Sequence, residues 1–274
     1  NYRELRAELE KLGAKFRGTS DTEVILEGAA RWGLKPTIER LIGMFAIALW
    51  DRRERTLHLV RDRLGIKPMY WARFGELLLF GSELKALRQH PGWTPEIDQG
   101  AASAFLRLSY VPAPHTIYRG VQKLEPGCIL TLGTSGEVRI ERYWSLAEIV
   151  RESRAAPLRL SDEEATDQLE VLLKDAIGRR MVADVPLGAF LSGRVDSSTV
   201  VALMQAQSDR PVRTFTIGFH EAGYNEAEQA KAVAQHLKTD HTERYIDPAH
   251  ARAVIPDLPD HYDEPFADAS QIPT

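Results

Sequence analysis

The sequence predicts a two-part α/β protein: antiparallel strands with flanking helices in the first half, strands alternating with helices in the second. Three observations carry this reading. Between residues 43 and 81, short apolar runs of strand length are separated by charged or glycine-containing turns. From residue 185 onward, β-type apolar runs alternate with helical periodicity, the order that builds a parallel sheet with its ligand at the carboxyl ends of the strands. Between the halves, residues 148–160 are polar and irregular, which suits an interdomain linker. The expected division is therefore 1–147, a linker at 148–160, and 161–274, within a chain of 274 residues that has room for two modest domains.

Each element follows from its pattern. Residues 1–12 place Tyr2, Leu5, Leu9 and Leu12 on one helical face. Gly43–Trp50 reads as a strand, Asp51–Arg55 as a charged turn, Leu57–Val60 as the returning strand and Leu77–Phe80 as another, together a meander. Helices are expected at 82–90 and 99–108. The prolines and glycines of 110–127 then lead to a short strand, Cys128–Leu132. Ser161-Asp162-Glu163-Glu164 is a capping box, and Leu169, Leu172, Leu173, Ala176 and Ile177 behind it mark an amphipathic helix. After the apolar run Val185–Leu191 come a short turn, a helix from about Thr199, a strand at Arg213–Phe219, a helix at Asn225–Leu237 and a strand at Thr242–Ile246. Three strands make a thin sheet for this architecture.

Composition excludes several classes. At 43% hydrophobic and 27% charged residues the chain is an ordinary globular protein. A net charge of −4 without a long basic run gives no reason to expect nucleic acid. No apolar stretch has membrane-spanning length and no signal-peptide pattern opens the chain, so no membrane partner is expected. The single cysteine, Cys128, rules out an internal disulfide, suits a reducing cytoplasm and reads as a small buried residue. His90, His236 and His241 lack metal-ligand spacing, and Trp50, Trp71 and Trp144 suit packing. The chain lacks an initiator Met and stops without a closing element, which reads as a fragment of a longer protein.

The most informative segment is Ser192-Gly193-Arg194-Val195-Asp196-Ser197-Ser198, where a strand hands over to a helix. Backbone N–H groups at a helix start lack intrahelical partners and carry the positive end of the dipole, so they favour phosphate. Serine hydroxyls add donors, and Asp196 is placed to hold Mg²⁺ against phosphates. The Walker pattern GxxxxGK[ST] is absent. Two readings stand at this point: a nucleotide turn, and a plain turn capped by Ser and Asp.

Further motifs add to the heptapeptide. Ser192–Ser198 resembles the SGGxDSS pyrophosphate loop of ATP pyrophosphatases, with Arg194 in place of the second glycine. Arg61–Tyr70 and Gly81–Leu87 resemble the RDxxGxKPLY and SExKAL segments of class II glutamine amidotransferase domains. Tyr110–Pro114, Thr116–Val121 and Lys123–Gly127 are similar to the connection into a synthetase domain. Val185–Ser198, Phe215–Phe219 and Asp263–Ser270 resemble the asparagine synthetase domain. In this order, the set resembles the glutamine-hydrolysing asparagine synthetase family.

The resemblance implies a partial N-terminal-nucleophile (αββα) glutaminase domain followed by the start of a doubly wound parallel α/β synthetase domain. It implies hydrolysis of glutamine to ammonia, passage of ammonia through a tunnel, adenylation of the aspartate β-carboxylate by ATP with Mg²⁺, and release of AMP and pyrophosphate. Asp21, in Ser20-Asp21-Thr22-Glu23, matches the residue that holds the glutamine α-ammonium; its alternative is a helix N-cap. Ser192, Gly193, Asp196, Ser197 and Ser198 match the pyrophosphate loop. Leu191, Ile217 and Gly218 match adenosine-contacting positions, with core packing as the alternative for the Leu191 and Ile217 side chains. Asp263 and Glu264 match an acidic segment lining the acceptor site, with a solvated loop as the alternative. The family's N-terminal cysteine nucleophile, its Asn-Gly-Glu segment, its LSGxGxDE loop and its catalytic lysine have no counterpart here, so no glutaminase activity is expected of these residues alone. A homodimer is a candidate assembly. Arg61, Asp62 and Arg63 read as a structural ion-pair cluster. Other readings are a paralogue adenylating another carboxylate, such as a β-lactam-synthetase-like enzyme, and a non-catalytic homologue in which Arg194 fills the pyrophosphate space.

Overall fold

The computed structural model describes residues 1–219, 225–268 and 271–272, so Ala269 and Ser270 of the last motif lie outside the described residues. The chain forms two compact units. The first joins Asn1–Pro157 to Pro259–Asp268; the second is built on Leu158–Leu258.

The first unit opens with helices α1 (Tyr2–Lys11), α2 (Asp21–Trp32) and α3 (Leu34–Arg40). Leu5 and Leu9, four residues apart, are the buried positions of α1. Leu12, expected on the same face, is exposed because the helix has ended. Seven strands follow: β1 (Ala46–Asp51), β2 (Thr56–Arg61), β3 (Tyr70–Phe74), β4 (Leu77–Gly81), β5 (Val121–Lys123), β6 (Cys128–Leu132) and β7 (Val138–Arg142). They form two antiparallel sheets, β1-β2-β6-β7 and β4-β3-β5, rather than one meander. Helices α4 (Leu84–Leu87) and α5 (Gln99–Leu108) lie between β4 and β5 in sequence.

Side-chain alternation sorts these strands into layers. Val60 and Ile129 face the α1–α3 side with Leu5, Leu9, Val24 and Ile38. Their neighbours Leu59, Cys128 and Leu130 face the other way, against Met69, Trp71 and Leu124. On the second sheet Tyr70, Ala72 and Phe74 turn toward Leu84, Leu87 and Ala101 of α4 and α5. The result is helix, sheet, sheet, helix, the αββα order expected. Cys128 is buried, and burial pushes its thiol pKa up.

Several expectations need correction. The strand predicted at Gly43–Trp50 begins at Ala46, because Phe45 is held by Asp62 instead of a ladder. β3, β5 and β7 are additional to the predicted strands; β7 is short, and its Ile140 is exposed although it alternates with charged residues. The helix expected at 82–90 is a single turn, α4. Trp50 is exposed, not packed. The linker region contains helix α6 (Leu146–Ala155), begun by Ser145, whose Oγ accepts the Glu148 N–H at 3.4 Å. No α6 residue is buried, so its polarity reflects a solvated helix rather than irregular chain.

In the second unit, α7 (Asp162–Arg180) starts with the predicted capping box. Its apolar face is not buried along its length: Leu169 and Leu172 are 55% and 67% exposed, and burial is confined to Ile177 near the end. Strand β8 (Gly188–Phe190), helix α8 (Val195–Gln205), strand β9 (Arg213–Phe219), helix α9 (Ala227–Leu237) and strand β10 (Asp240–Ile246) follow. The sheet order is β10-β9-β8, parallel throughout. Leu191, Val201, Ala230 and Ala234 pack α8 and α9 together with the sheet. The short helix α10 (Pro248–Val254) follows in this unit, and α11 (Leu258–His261) opens the last segment of the first.

Candidate functional site

In the first unit, Ser20 rather than Asp21 is the N-cap of α2; its Oγ accepts the Thr22 N–H at 3.1 Å. Asp21 is the first helical residue and is exposed. Its Oδ1 accepts the same N–H at 2.7 Å, while Oδ2 has no hydrogen bond among the described residues. A carboxylate so placed, at the positive end of a helix, suits an ammonium ligand only if the ligand brings its own donors to the free oxygen. Glu23 acts differently, accepting the Arg17 and Gly18 N–H groups at 2.7 and 2.9 Å. These backbone bonds hold its carboxyl below the usual range.

Arg61-Asp62-Arg63 is structural, but its bonds go to backbone rather than to one another. Asp62 is fully buried. Its oxygens accept N–H groups from Phe45, Leu64, Ile66 and Lys67 at 3.3, 3.2, 2.9 and 2.9 Å. The Arg61 guanidinium donates to the carbonyls of Lys67, Leu124 and Gly65. Arg63 donates to those of Leu41 and Glu39. The signal was present in the sequence: an Asp two residues before a Leu-Gly turn is the usual acceptor for that turn's N–H groups.

Asp263 and Glu264 lie in the first unit and are engaged there. Asp263 accepts the Leu84 and Lys85 N–H groups at the start of α4, at 2.6 and 3.1 Å. Glu264 accepts the Ile117 N–H at 2.7 Å and pairs with Lys123 at 2.6 Å. Lys123 also donates to the Val111 carbonyl. These residues are therefore not a solvated loop: both carboxylates have partners within the first unit.

The second unit brings Leu191, Ser192, Gly193, Asp196, Ser197 and Ser198 together at the carboxyl end of β8. Leu191 is 2% exposed. Its N–H donates to the Phe215 carbonyl, and its own carbonyl accepts the Thr216 hydroxyl. That backbone anchors the loop. Gly193 has φ +74, and a Cβ there would lie 2.6 Å from the Ala230 nitrogen, so α9 closes on the turn where only glycine fits. Ser197 Oγ accepts the Ser192 N–H at 3.2 Å and lies 2.8 Å from Ser192 Oγ. Arg194 is the N-cap of α8 and provides no side-chain cap. The first N–H groups of α8 therefore lack a side-chain acceptor, and the buried Ser198 hydroxyl has no hydrogen-bond partner among the described residues. Asp196, in the first turn, is exposed.

The β8–β9 pairing ends at Phe190↔Phe215, so β9 runs on past the end of β8. Ile217 and Gly218 sit on that overhang, with their ladder to β10 intact. Gly218 is packed so closely that a Cβ would come within 2.7 Å of the Tyr245 ring. Arg194 does not fill the loop: its side chain is 77% exposed and pairs with Glu226. Sequence patterns do not single out Glu226 or Thr216, because pairing across 32 and 25 residues leaves no local signature. Among the described residues no group of three or more His, Cys, Asp or Glu is placed to hold a metal ion.

Two families match this chain in the same order as its two units. The family described as glutamine amidotransferase domain matches residues 1–144, and that described as asparagine synthase matches 168–274. The chain belongs to the glutamine-hydrolysing asparagine synthetase family. Among relatives, it is 32% identical over 274 residues to the glutamine-hydrolyzing asparagine synthetase 1 of Bacillus subtilis, covering 100% of this chain and 42% of that protein. Identity is 37% over 279 residues to a putative asparagine synthetase of Mycobacterium tuberculosis, with the same two coverages of 100% and 42%. It is 34% over 278 residues to a putative asparagine synthetase 2 of Methanocaldococcus jannaschii, covering 100% of this chain and 52% of that protein. This asparagine synthetase family chain thus spans about half the length of those relatives or less. The 168–274 match includes Asp263 and Glu264, although both pack into the first unit. No helix among the described residues is long and apolar enough to cross a membrane.

Proposed function

We propose that the protein carrying this chain is a glutamine-dependent amide ligase that makes asparagine. Glutamine hydrolysis supplies ammonia. The aspartate β-carboxylate attacks the α-phosphorus of ATP and pyrophosphate leaves; ammonia then attacks the acyl carbon and AMP leaves. The observation that carries the reading is the α8 start: a positive-φ Gly193 and, among the described residues, N–H groups without a side-chain cap and a Ser198 hydroxyl without a partner. That set is suited to an anion with many acceptor oxygens.

In this reading the loop N–H groups and the Ser192, Ser197 and Ser198 hydroxyls bind the pyrophosphate part of ATP. Leu191 fixes the base of the loop. The overhanging Ile217 and Gly218 backbone faces the adenosine part. Asp196 would hold Mg²⁺, which is commonly bound through one carboxylate plus substrate phosphates. Mg²⁺ supplies neutralisation of charge on the leaving pyrophosphate. In the first unit, the exposed Asp21 carboxylate accepts hydrogen bonds from the glutamine α-ammonium. For Asp263 and Glu264 the contacts favour anchoring over acceptor binding. A single, buried Cys128 supports a cytoplasmic setting.

The test is product analysis with glutamine, aspartate and Mg-ATP. AMP, pyrophosphate, glutamate and asparagine in equal amounts are expected. Release of ADP and phosphate would overturn the proposal, and AMP formation with a different carboxylate would assign another acceptor.

A further inference from the structure

We propose that Arg194 is a phosphate-binding residue held in reserve by Glu226. This rests on the nucleotide reading of the 192–198 loop and deepens it. The backbone at Arg194 has φ −85 and ψ 165, an extended conformation open to any residue. The loop therefore needs glycine at 193, where φ is +74 and α9 presses close, and not at 194. An arginine at 194 carries no backbone strain and leaves the turn intact.

Its side chain has one resting partner among the described residues. Arg194 Nε donates to Glu226 Oε1 at 2.6 Å, and Nη2 lies against the same oxygen. Nη1 and Glu226 Oε2 have no hydrogen bond among the described residues. Glu226 occupies the N-cap position of α9 without capping it, so its carboxylate stays turned to Arg194. The side chains are 77% and 38% exposed, and a pair this accessible contributes little to folding.

The arginine is rooted inside the anion turn. Its own carbonyl accepts the Ser198 N–H at 3.0 Å and the Ser197 hydroxyl at 3.2 Å. A pyrophosphate group at the α8 start would bring several negative oxygens close to this residue, against the single carboxylate of Glu226. A guanidinium fork matches two phosphate oxygens at once. Glycine at this position would offer only its N–H, whereas Arg194 adds a mobile positive charge. The consequence is tighter retention of the pyrophosphate moiety, in ATP and as product.

The experiment uses the protein carrying this chain, inorganic pyrophosphate with Mg²⁺ as probe, and the variants Arg194→Gly, Glu226→Gln and Ser192→Ala. Product inhibition by pyrophosphate and the KM for Mg-ATP are measured. Arg194→Gly is expected to weaken pyrophosphate binding about tenfold, equivalent to about 1.4 kcal/mol. Glu226→Gln is expected to tighten it, because the arginine is released. A merely structural clasp would weaken binding in both variants. Equal or tighter pyrophosphate binding by Arg194→Gly, or weakening by Glu226→Gln comparable to Arg194→Gly, would overturn the proposal. If the unsubstituted protein binds neither pyrophosphate nor Mg-ATP and Ser192→Ala changes nothing, the nucleotide reading of the loop falls as well, which separates the two failures.

Discussion

Lys123 Nζ stands 2.6 Å from Glu264 Oε2, and the two side chains are only 15% and 11% exposed. This pair, with Asp263 on the α4 N–H groups, ties residues far apart in sequence into one unit. The same carboxylates, after burial itself, help push the Tyr70 phenol pKa up. Removing one member of a buried pair leaves an uncompensated charge, a loss of about 3–5 kcal/mol. Lys123→Met is expected to lower the unfolding free energy, read from urea denaturation, by an amount in that range. Replacing both residues, Lys123→Met with Glu264→Leu, should recover most of the loss. A double-mutant cycle on urea midpoints checks this, and additive losses would contradict it.

Asp62 accepts from four backbone N–H groups at a fully buried position. Asp62→Asn presents an NH₂ group to donors that need an acceptor. The expected cost is about 1–3 kcal/mol for the groups left unsatisfied. Hydrogen exchange should show Ile66 and Lys67 losing protection ahead of the α1–α3 core.

Glu23 gives a pH signature. Its carboxyl is held below the usual range by the Arg17 and Gly18 N–H groups. Because the folded value is the lower one, the stabilisation is present above the unfolded value of about 4.3 and is lost as pH falls through the folded value. Acidification below about pH 4.3 should therefore release the 17–18 turn. The protection factors of the Arg17 and Gly18 amides, which already correct for the slower intrinsic exchange in acid, should fall there, and Glu23→Gln should abolish that pH dependence.

Gly193→Ala places a methyl group 2.6 Å from the Ala230 nitrogen at φ +74. The left-handed backbone alone costs about 1–2 kcal/mol, and α9 must move as well. The second unit should lose stability and Mg-ATP binding together, whereas Arg194→Ala should leave stability within about 0.5 kcal/mol of the parent. Denaturation of both variants in parallel checks the contrast.

Asp21→Asn tests the glutamine assignment. Losing a charge-assisted bond to the α-ammonium should raise the glutamine KM about tenfold or more. Amide formation supplied with free ammonia should continue unchanged. Equal damage to both activities would assign Asp21 to folding of α2.

Much of the fold is legible in the sequence because pattern and burial agree. Arg213–Phe219 and Gln99–Leu108 appear with their predicted limits, since each has a full period and clear boundaries. The Ser161–Glu164 capping box is local chemistry and survives intact. The misses share a cause: long-range partners. Tyr70–Phe74 becomes a strand through pairing with residues near 80 and 122. Leu169 and Leu172 form a helical stripe that is largely solvated. The loop residues of the candidate site are readable from Ser192 to Ser198, but the restraint on Arg194 comes from Glu226, 32 residues away. Likewise, nothing near Asp263 or Glu264 announces that their partners are α4, Ile117 and Lys123.

The first unit is assembled from two pieces of chain, with residues 158–258 intervening. On a ribosome these arrive in order, and Ile117 is made 147 residues before Glu264. At about 5–20 residues per second, the α4 N-terminus and the Lys123 ammonium wait on the order of ten seconds for their carboxylates. During that interval a lysine destined for burial has no counter-charge. Completion of the amidotransferase half is thus timed by translation of the synthetase half, which gives nascent chains an order of maturation that gene order alone would not suggest.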